Sequence, residues 1–289
     1  LWYTSRRNIK PIERKKVMEC VIRDLFVHYE RIGEGTPVLL LHGYRADYRL
    51  MTGCMEPVFQ QLRGYKRVYV DLPGMGRTGA GWVRCADDML ELLLEFIDRV
   101  MPSERFLLAG ESYGGYLARG IVRRLGSRVA GLMLLCPAIL TDFKKRTLPA
   151  QTVIAKDEPF LASLSPEDRQ SFTEVDVVQT EPVWERFRDE IQSGFQLADM
   201  PFLKEFQRSG YGFSFDVDAP GEPYPNPALF LLGRQDGGVG YRDAWAILEA
   251  YPRATFAVLD RAGHNLQIEQ PALFEALVRE WLERVKEAA

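Results

Sequence analysis

Residues 106–124 read FLLAGESYGGYLARGIVRR. An apolar run ends in Gly110-Glu111-Ser112-Tyr113-Gly114, and a helical pattern follows at once. A strand, a sharp turn and a helix in this order lift a serine at the apex clear of a sheet, and the flanking glycines leave room for the crowded backbone that does it. Gly-x-Ser-x-Gly is also short enough to occur by accident in a glycine-rich chain. Its meaning depends on whether the rest of the chain supplies a base, an acid and an oxyanion site.

Working outward, residues 37–43, PVLLLHG, form an unbroken apolar run suited to a central strand covered on both faces. Residues 67–71, 131–136 (GLMLLC), 228–233 (ALFLLG) and 255–259 continue the set of strands. Segments 18–23 and 25–29 alternate and read as an antiparallel edge. Helical patterns fall at 50–62, 86–100, 242–250 and 271–288, the last with Pro271 in its first turn. Strands alternating with helices predict an α/β fold: a mostly parallel eight-stranded sheet with helices on both faces.

The alternation breaks after Pro137. Residues 138–225 hold no buried strand-like run but carry short amphipathic segments with Phe160, Phe172, Trp184, Phe187, Phe195 and Phe202 available to pack. Residues 138–222 contain 16 acidic against 9 basic side chains. The expected organisation is an N-terminal arm (1–16), a core from 17–137 and 226–289, and a helical cap inserted as 138–225.

A net charge of −3, with 27% charged and 46% hydrophobic residues, argues for small-molecule chemistry and against a nucleic-acid partner. No run is long enough for a membrane span, and the charged start has no apolar h-region behind it, so a cytoplasmic protein is expected. Arg14, Lys15 and Lys16 read as part of a solvated arm. Cys20, Cys54, Cys85 and Cys136 lack Cys-x-x-Cys spacing and are expected to be free thiols.

A serine hydroxyl needs a nearby base, most often a histidine oriented by an acid. Three histidines are available. His28 lies in the early alternating stretch and reads as an edge-strand residue; His42 ends a central strand before Gly43 and suits shaping a loop. His264 follows the last strand and is the base by elimination and position. For the acid, Asp236 sits in a short loop after a buried strand; Asp142 is its main rival, and Asp260 lies too close to the strand interior to reach round.

The order Ser112, Asp236, His264 is that of the α/β-hydrolase fold. From residue 17 onward the chain resembles that superfamily, in His42-Gly43, Asp71-Leu72-Pro73-Gly74-Met75-Gly76, the Gly110–Gly114 elbow, the Asp236 loop and Gly263-His264. The resemblance implies an oxyanion hole made by the backbone N–H groups of Tyr44 and Tyr113, supported by the His42-Gly43 loop. It also implies a serine branch with a helical cap, acting by acyl transfer on an ester, and gives Glu111 no catalytic part.

Gly74-Met75-Gly76-Arg77-Thr78-Gly79 matches G-x-G-x-x-G, but a dinucleotide site needs its helix to begin within the motif, and here the helical pattern starts near Ala86. No cofactor is implied, and scattered histidines without H-E-x-x-H imply no metal. Proline iminopeptidases are an alternative, although His42-Gly43-Tyr44-Arg45 lacks their glycine-rich oxyanion loop and the elbow lacks their tryptophan. Carbon–carbon bond hydrolases use the same three residue types, and a ligand-binding receptor on a hydrolase shell is the non-enzymatic alternative.

Overall fold

The computed structural model describes residues 15–150, 152–219 and 221–288. Among the described residues ten strands appear in chain order: β1 (Lys15–Ile22), β2 (Leu25–Ile32), β3 (Thr36–Leu41), β4 (Tyr65–Val70), β5 (Phe106–Glu111), β6 (Val129–Leu135), β7 (Ala155–Lys156), β8 (Val178–Gln179), β9 (Ala228–Gly233) and β10 (Ala254–Leu259). Eight of them form one sheet in the order β1-β2-β4-β3-β5-β6-β9-β10. β1 pairs antiparallel with β2, and β2 antiparallel with β4. The other five pairings are parallel. This is the α/β-hydrolase fold that the alternation and the resemblance predict.

Burial follows from position in the sheet. Every residue of β5 and β9 is buried, as the apolar runs FLLAG and ALFLLG require, and Glu111 at the end of β5 is buried with them. β10 is an edge strand and only half-buried throughout. Helix Tyr48–Phe59 packs with Pro271–Glu287, and helix Ala86–Val100 with Ser112–Leu125.

Most predicted elements end within two or three residues of the observed ones, and the deviations have local causes. The pattern at 242–250 resolves into helix Arg242–Trp245 and a separate 3-10 turn Leu248–Ala250. Lys15 and Lys16, expected at the end of the arm spanning 1–16, open β1 instead, and Lys15 Nζ lies 2.6 Å from the buried Glu30 carboxylate. A charged, exposed strand start carries no apolar signal, so it reads as an arm. Residues 1–14 of that arm lie outside the described residues.

Chain order and sheet order part company at β3. The chain steps from β3 to β4 on one side and β5 enters on the other. Such a reversal leaves a crevice beyond the carboxyl ends of the two diverging strands, where ligands of open α/β sheets bind. The residues there are His42-Gly43-Tyr44 after β3 and Glu111-Ser112 at the end of β5. The long segment between β6 and β9 is built of short helices, among them Glu181–Arg186 and Met200–Ser209, with the two-residue pair β7–β8 as its extended part.

Candidate active site

The turn after β5 holds Ser112 at φ 50°, in the left-handed region that few non-glycine residues adopt. The strain is held by close packing on both sides. A Cβ on Gly110 would lie 2.4 Å from the Gly114 carbonyl oxygen, and a Cβ on Gly114 would lie 2.4 Å from that of Leu41. Only glycine lets the helix start this close to β3, and the serine is placed at the helix N-terminus as a result.

His264 and Asp236 converge on it from the loops after β10 and β9. His264 Nε2 lies 3.0 Å from Ser112 Oγ, and His264 Nδ1 lies 2.9 Å from Asp236 Oδ2. The other Asp236 oxygen accepts the N–H groups of Gly238 and Val239 at 2.8 and 3.0 Å. Burial alone would raise the Asp236 pKa, but the facing imidazole and these two donors hold it below the usual carboxylate range. Burial alone would lower the His264 pKa; the carboxylates of Asp236 and then Glu111 push it up to about 9.

The rival acids do other work. Asp142 is exposed and caps the turn Phe143–Lys145 by accepting from Lys144 N at 3.0 Å. Asp260 is exposed beside Gln235.

Gly43 packs directly against the Glu111 carboxylate, and its backbone offsets part of the burial that raises the Glu111 pKa. Tyr113 N–H lies in the first turn of helix Ser112–Leu125, where it has no intrahelical acceptor and the helix dipole favours negative charge. The side chains of Tyr44 and Tyr113 tie down the overlying segment: Tyr44 Oη donates to the Leu203 carbonyl, and Tyr113 Oη to that of Tyr211 at 3.2 Å.

His42 supports this loop as a neutral ring. Its Nδ1–H donates to the Gly43 carbonyl at 2.8 Å, and its Nε2 accepts Leu72 N–H at 3.0 Å. Burial holds its pKa below the ordinary value. His28 is more than the edge-strand residue expected: it is buried, and its Nδ1 meets Asp71 Oδ2 at 2.8 Å. Asp71 also accepts from Tyr48 N and Arg77 N, so the pair holds two loops around the crevice in place. In the loop at 74–79, Gly74 N bonds the Thr78 carbonyl and the helix begins at Ala86, which leaves the motif without the helix start that a pyrophosphate would need.

Sequence reasoning passed over Glu111. It is buried, its Oε1 lies 3.3 Å from His264 Nε2, and burial pushes its pKa up to about 7. A carboxylate closing an otherwise apolar central strand was the signal. Also unforeseen is Glu269, which accepts from Gly263 N at 2.5 Å and from Val177 N and Val178 N at 2.6 and 3.1 Å. It thereby joins the His264 loop to β8.

Between Ser112, His264 and Glu111 on one side and Val175, Phe187 and Phe195 on the other lies a cavity of ≈ 80 Å³. A larger open groove of ≈ 900 Å³ beside Arg119, Tyr224 and Tyr251 contains none of these groups. Cys136, Asp236 and His264 bring one donor atom each within 4.8 Å. Asp236 and His264 already bond each other, and burial keeps the Cys136 thiol protonated. The donor set therefore fits a hydrogen-bonded dyad beside a neutral thiol better than a metal centre.

A family model described as the alpha/beta hydrolase family matches residues 38–277. The pimeloyl-[acyl-carrier protein] methyl ester esterase of Aeromonas salmonicida is 29% identical over 261 residues, covering 88% of this chain and 98% of that protein. The crystal structure of an alpha/beta superfamily hydrolase from Oenococcus oeni PSU-1 aligns with a TM-score of 0.85 at 30% identity, over 93% of this chain and 99% of that one. A thermophilic esterase from Thermogutta terrifontis shares the fold, with a TM-score of 0.60 at 21% identity over 95% of this chain and 99% of that one.

Proposed function

The chain belongs to the alpha/beta hydrolase family, and on that premise we propose that it cleaves a small-molecule carboxylic ester through an acyl-enzyme on Ser112. The observation that carries this reading is the line of contacts Asp236 Oδ2–His264 Nδ1 and His264 Nε2–Ser112 Oγ, 2.9 and 3.0 Å. Ester cleavage is also the activity in the names of several relatives.

In this reading Ser112 Oγ attacks the ester carbonyl carbon while its proton passes to His264 Nε2. Asp236 fixes the imidazole tautomer and stabilises the imidazolium. The oxyanion is received by the N–H groups of Tyr44 and Tyr113; donors so placed are each worth roughly 10²-fold to 10³-fold in rate. His264 then protonates the departing alkoxide. Water, deprotonated by the same nitrogen, attacks the acyl-enzyme and releases the acid.

Residues 138–225 act as the cap. Val175, Phe187 and Phe195 from that segment line the small cavity beside Ser112, which supports a short apolar acyl group as the preferred substrate. The carrier-bound pimeloyl methyl ester belongs to the relatives that are named for it. A cytoplasmic setting is part of the same reading, supported by the free thiols of Cys54 and Cys136.

A series of p-nitrophenyl esters of rising acyl length, set beside aminoacyl amides, tests the proposal. Two- to four-carbon esters are expected to be turned over fastest, and a fluorophosphonate is expected to label Ser112. Faster cleavage of the amides would overturn ester specificity. Absence of both labelling and turnover, with ligand binding retained in Ser112→Ala, would turn the reading into that of a receptor.

A further inference from the structure

Glu111 is a buried ionisable group at this site that the acyl-enzyme scheme leaves unused. Its side chain is 3% exposed at the carboxyl end of β5, and the carboxylate folds back toward the reacting atoms instead of into the sheet. A Cβ on Gly43 would lie 2.0 Å from Glu111 Oε2, so glycine at 43 is what makes space for this carboxylate. The Gly43 backbone beside it favours the ionised carboxylate. The other oxygen, Oε1, lies 3.3 Å from His264 Nε2, the same nitrogen that Ser112 Oγ reaches at 3.0 Å.

One nitrogen thus faces both the nucleophile and a carboxylate. When the ring is neutral with its proton on Nδ1, Nε2 accepts from Ser112 Oγ, and an ionised Glu111 beside it meets no positive charge. When Nε2 takes the Ser112 proton, the ring's positive charge lies beside Glu111 Oε1, so the imidazolium is hydrogen-bonded at Nδ1 by Asp236 and attracted electrostatically at Nε2 by Glu111. We infer that Glu111 is a positioning residue whose carboxylate stabilises the imidazolium form of His264 during acyl transfer and so sets the pH above which Ser112 can be deprotonated. The proton comes from Ser112 Oγ, rests on Nε2 and leaves on the alkoxide, so Glu111 exchanges no proton with the substrate.

The other groups around the pair are consistent with this assignment. Asp236 faces the imidazole from the loop after β9, while Arg146, from the segment after β6, opposes its charge. Asp176, which accepts from Asn265, is pushed well up by burial and so holds its proton beside the pair. Cys136 at the end of β6, Cys54 on helix Tyr48–Phe59 and Tyr211 are all pushed up by burial, and stay neutral where the pair titrates. Among the described residues, His264 is the cation that meets the Glu111 carboxylate.

The inference rests on the serine hydrolase reading, and its test separates the two. Wild type and Glu111→Gln are compared in the pH dependence of kcat/KM on a short-chain p-nitrophenyl ester. Glutamine keeps the shape but removes the charge, so the acid limb is expected to move down by roughly one pH unit or more. An unchanged limb in an active, probe-labelled Glu111→Gln enzyme would overturn the inference while leaving the acyl-enzyme reading intact. A second measurement needs neither turnover nor this variant: the His264 imidazole nitrogens are titrated by NMR in Ser112→Ala. Their shifts should respond in two steps, one on ionisation of Glu111 and one on loss of the imidazolium proton. A single step, independent of the Glu111 side-chain carboxyl signal, would overturn the inference whether or not the protein cleaves esters.

Discussion

Asp236 presents one carboxylate oxygen to His264 Nδ1 at 2.9 Å and keeps the other on the N–H groups of Gly238 and Val239. The two backbone donors prevent the carboxylate from turning, so the imidazole is held in a single tautomer. Asp236→Asn is therefore expected to cost roughly 10⁴-fold in kcat, the scale seen when a histidine is left in the wrong tautomer. Asp142→Asn is expected to leave kcat unchanged, because Asp142 is exposed, caps a turn and pairs with Lys145 rather than with His264. Steady-state kinetics of the two variants on one ester checks the pair, and equal losses would exclude Asp236 as the orienting acid.

The pH dependence of rate and of stability should run in opposite directions. Activity needs neutral His264, whose pKa is pushed up to about 9, so kcat/KM should climb with pH to a plateau above that value. A raised pKa means that the folded state holds a proton which the unfolded chain releases earlier. The stability contributed by His264 is fully present below 6.5 and lost as pH rises through about 9. For Glu111 it is present below 4.5 and lost as pH rises through about 7. Melting temperatures should fall from pH 5 to pH 9 while kcat/KM rises.

Glu111→Gln removes the second of these contributions and reduces the first, because the Glu111 charge is part of what raises the His264 pKa. The variant should match wild type near pH 5 and exceed it at pH 8, by an amount on the order of 3 kcal/mol. Urea unfolding at the two pH values measures it, and a variant equally stable to wild type at both would show that the buried carboxylate costs the fold nothing.

The two tyrosines that flank the reacting centre should couple the overlying segment to it. Tyr113→Phe removes the bond to the Tyr211 carbonyl and leaves a buried oxygen without its donor, which costs about 1–3 kcal/mol. Tyr44→Phe does the same at Leu203. Both backbone N–H groups survive, so esters too small to need the pocket roof should keep their kcat and the effect should appear mainly in KM for longer acyl chains.

Glu269 accepts three backbone donors from two separate segments. Glu269→Ala would leave three buried N–H groups unpaired and should destabilise by roughly 3 kcal/mol or more. Because one of the three belongs to Gly263, next to His264, the same change should lower kcat by more than the loss of folded protein explains. Glu269→Gln, which offers a single acceptor oxygen, should fall between the two.

What the amino-acid sequence determined by itself is whatever depends on local pattern and order. Unbroken apolar runs have to be covered strands, so β3, β5, β6 and β9 were legible. Gly110 and Gly114 had to leave space for a crowded turn, and Ser112, Asp236 and His264 stood out because each follows a strand on the same edge. Only the tertiary structure decided which groups meet across long sequence separations. Nothing local says that Glu111 folds back toward His264, that Glu269 holds β8 to the histidine loop, or that His28 braces Asp71. These contacts join residues from 43 to 153 positions apart. The Glu111 contact exists because β5 enters the sheet beside β3 and because one glycine, Gly43, leaves a space that a carboxylate enters. A strand pattern records which face is buried; it does not record what waits on the other side.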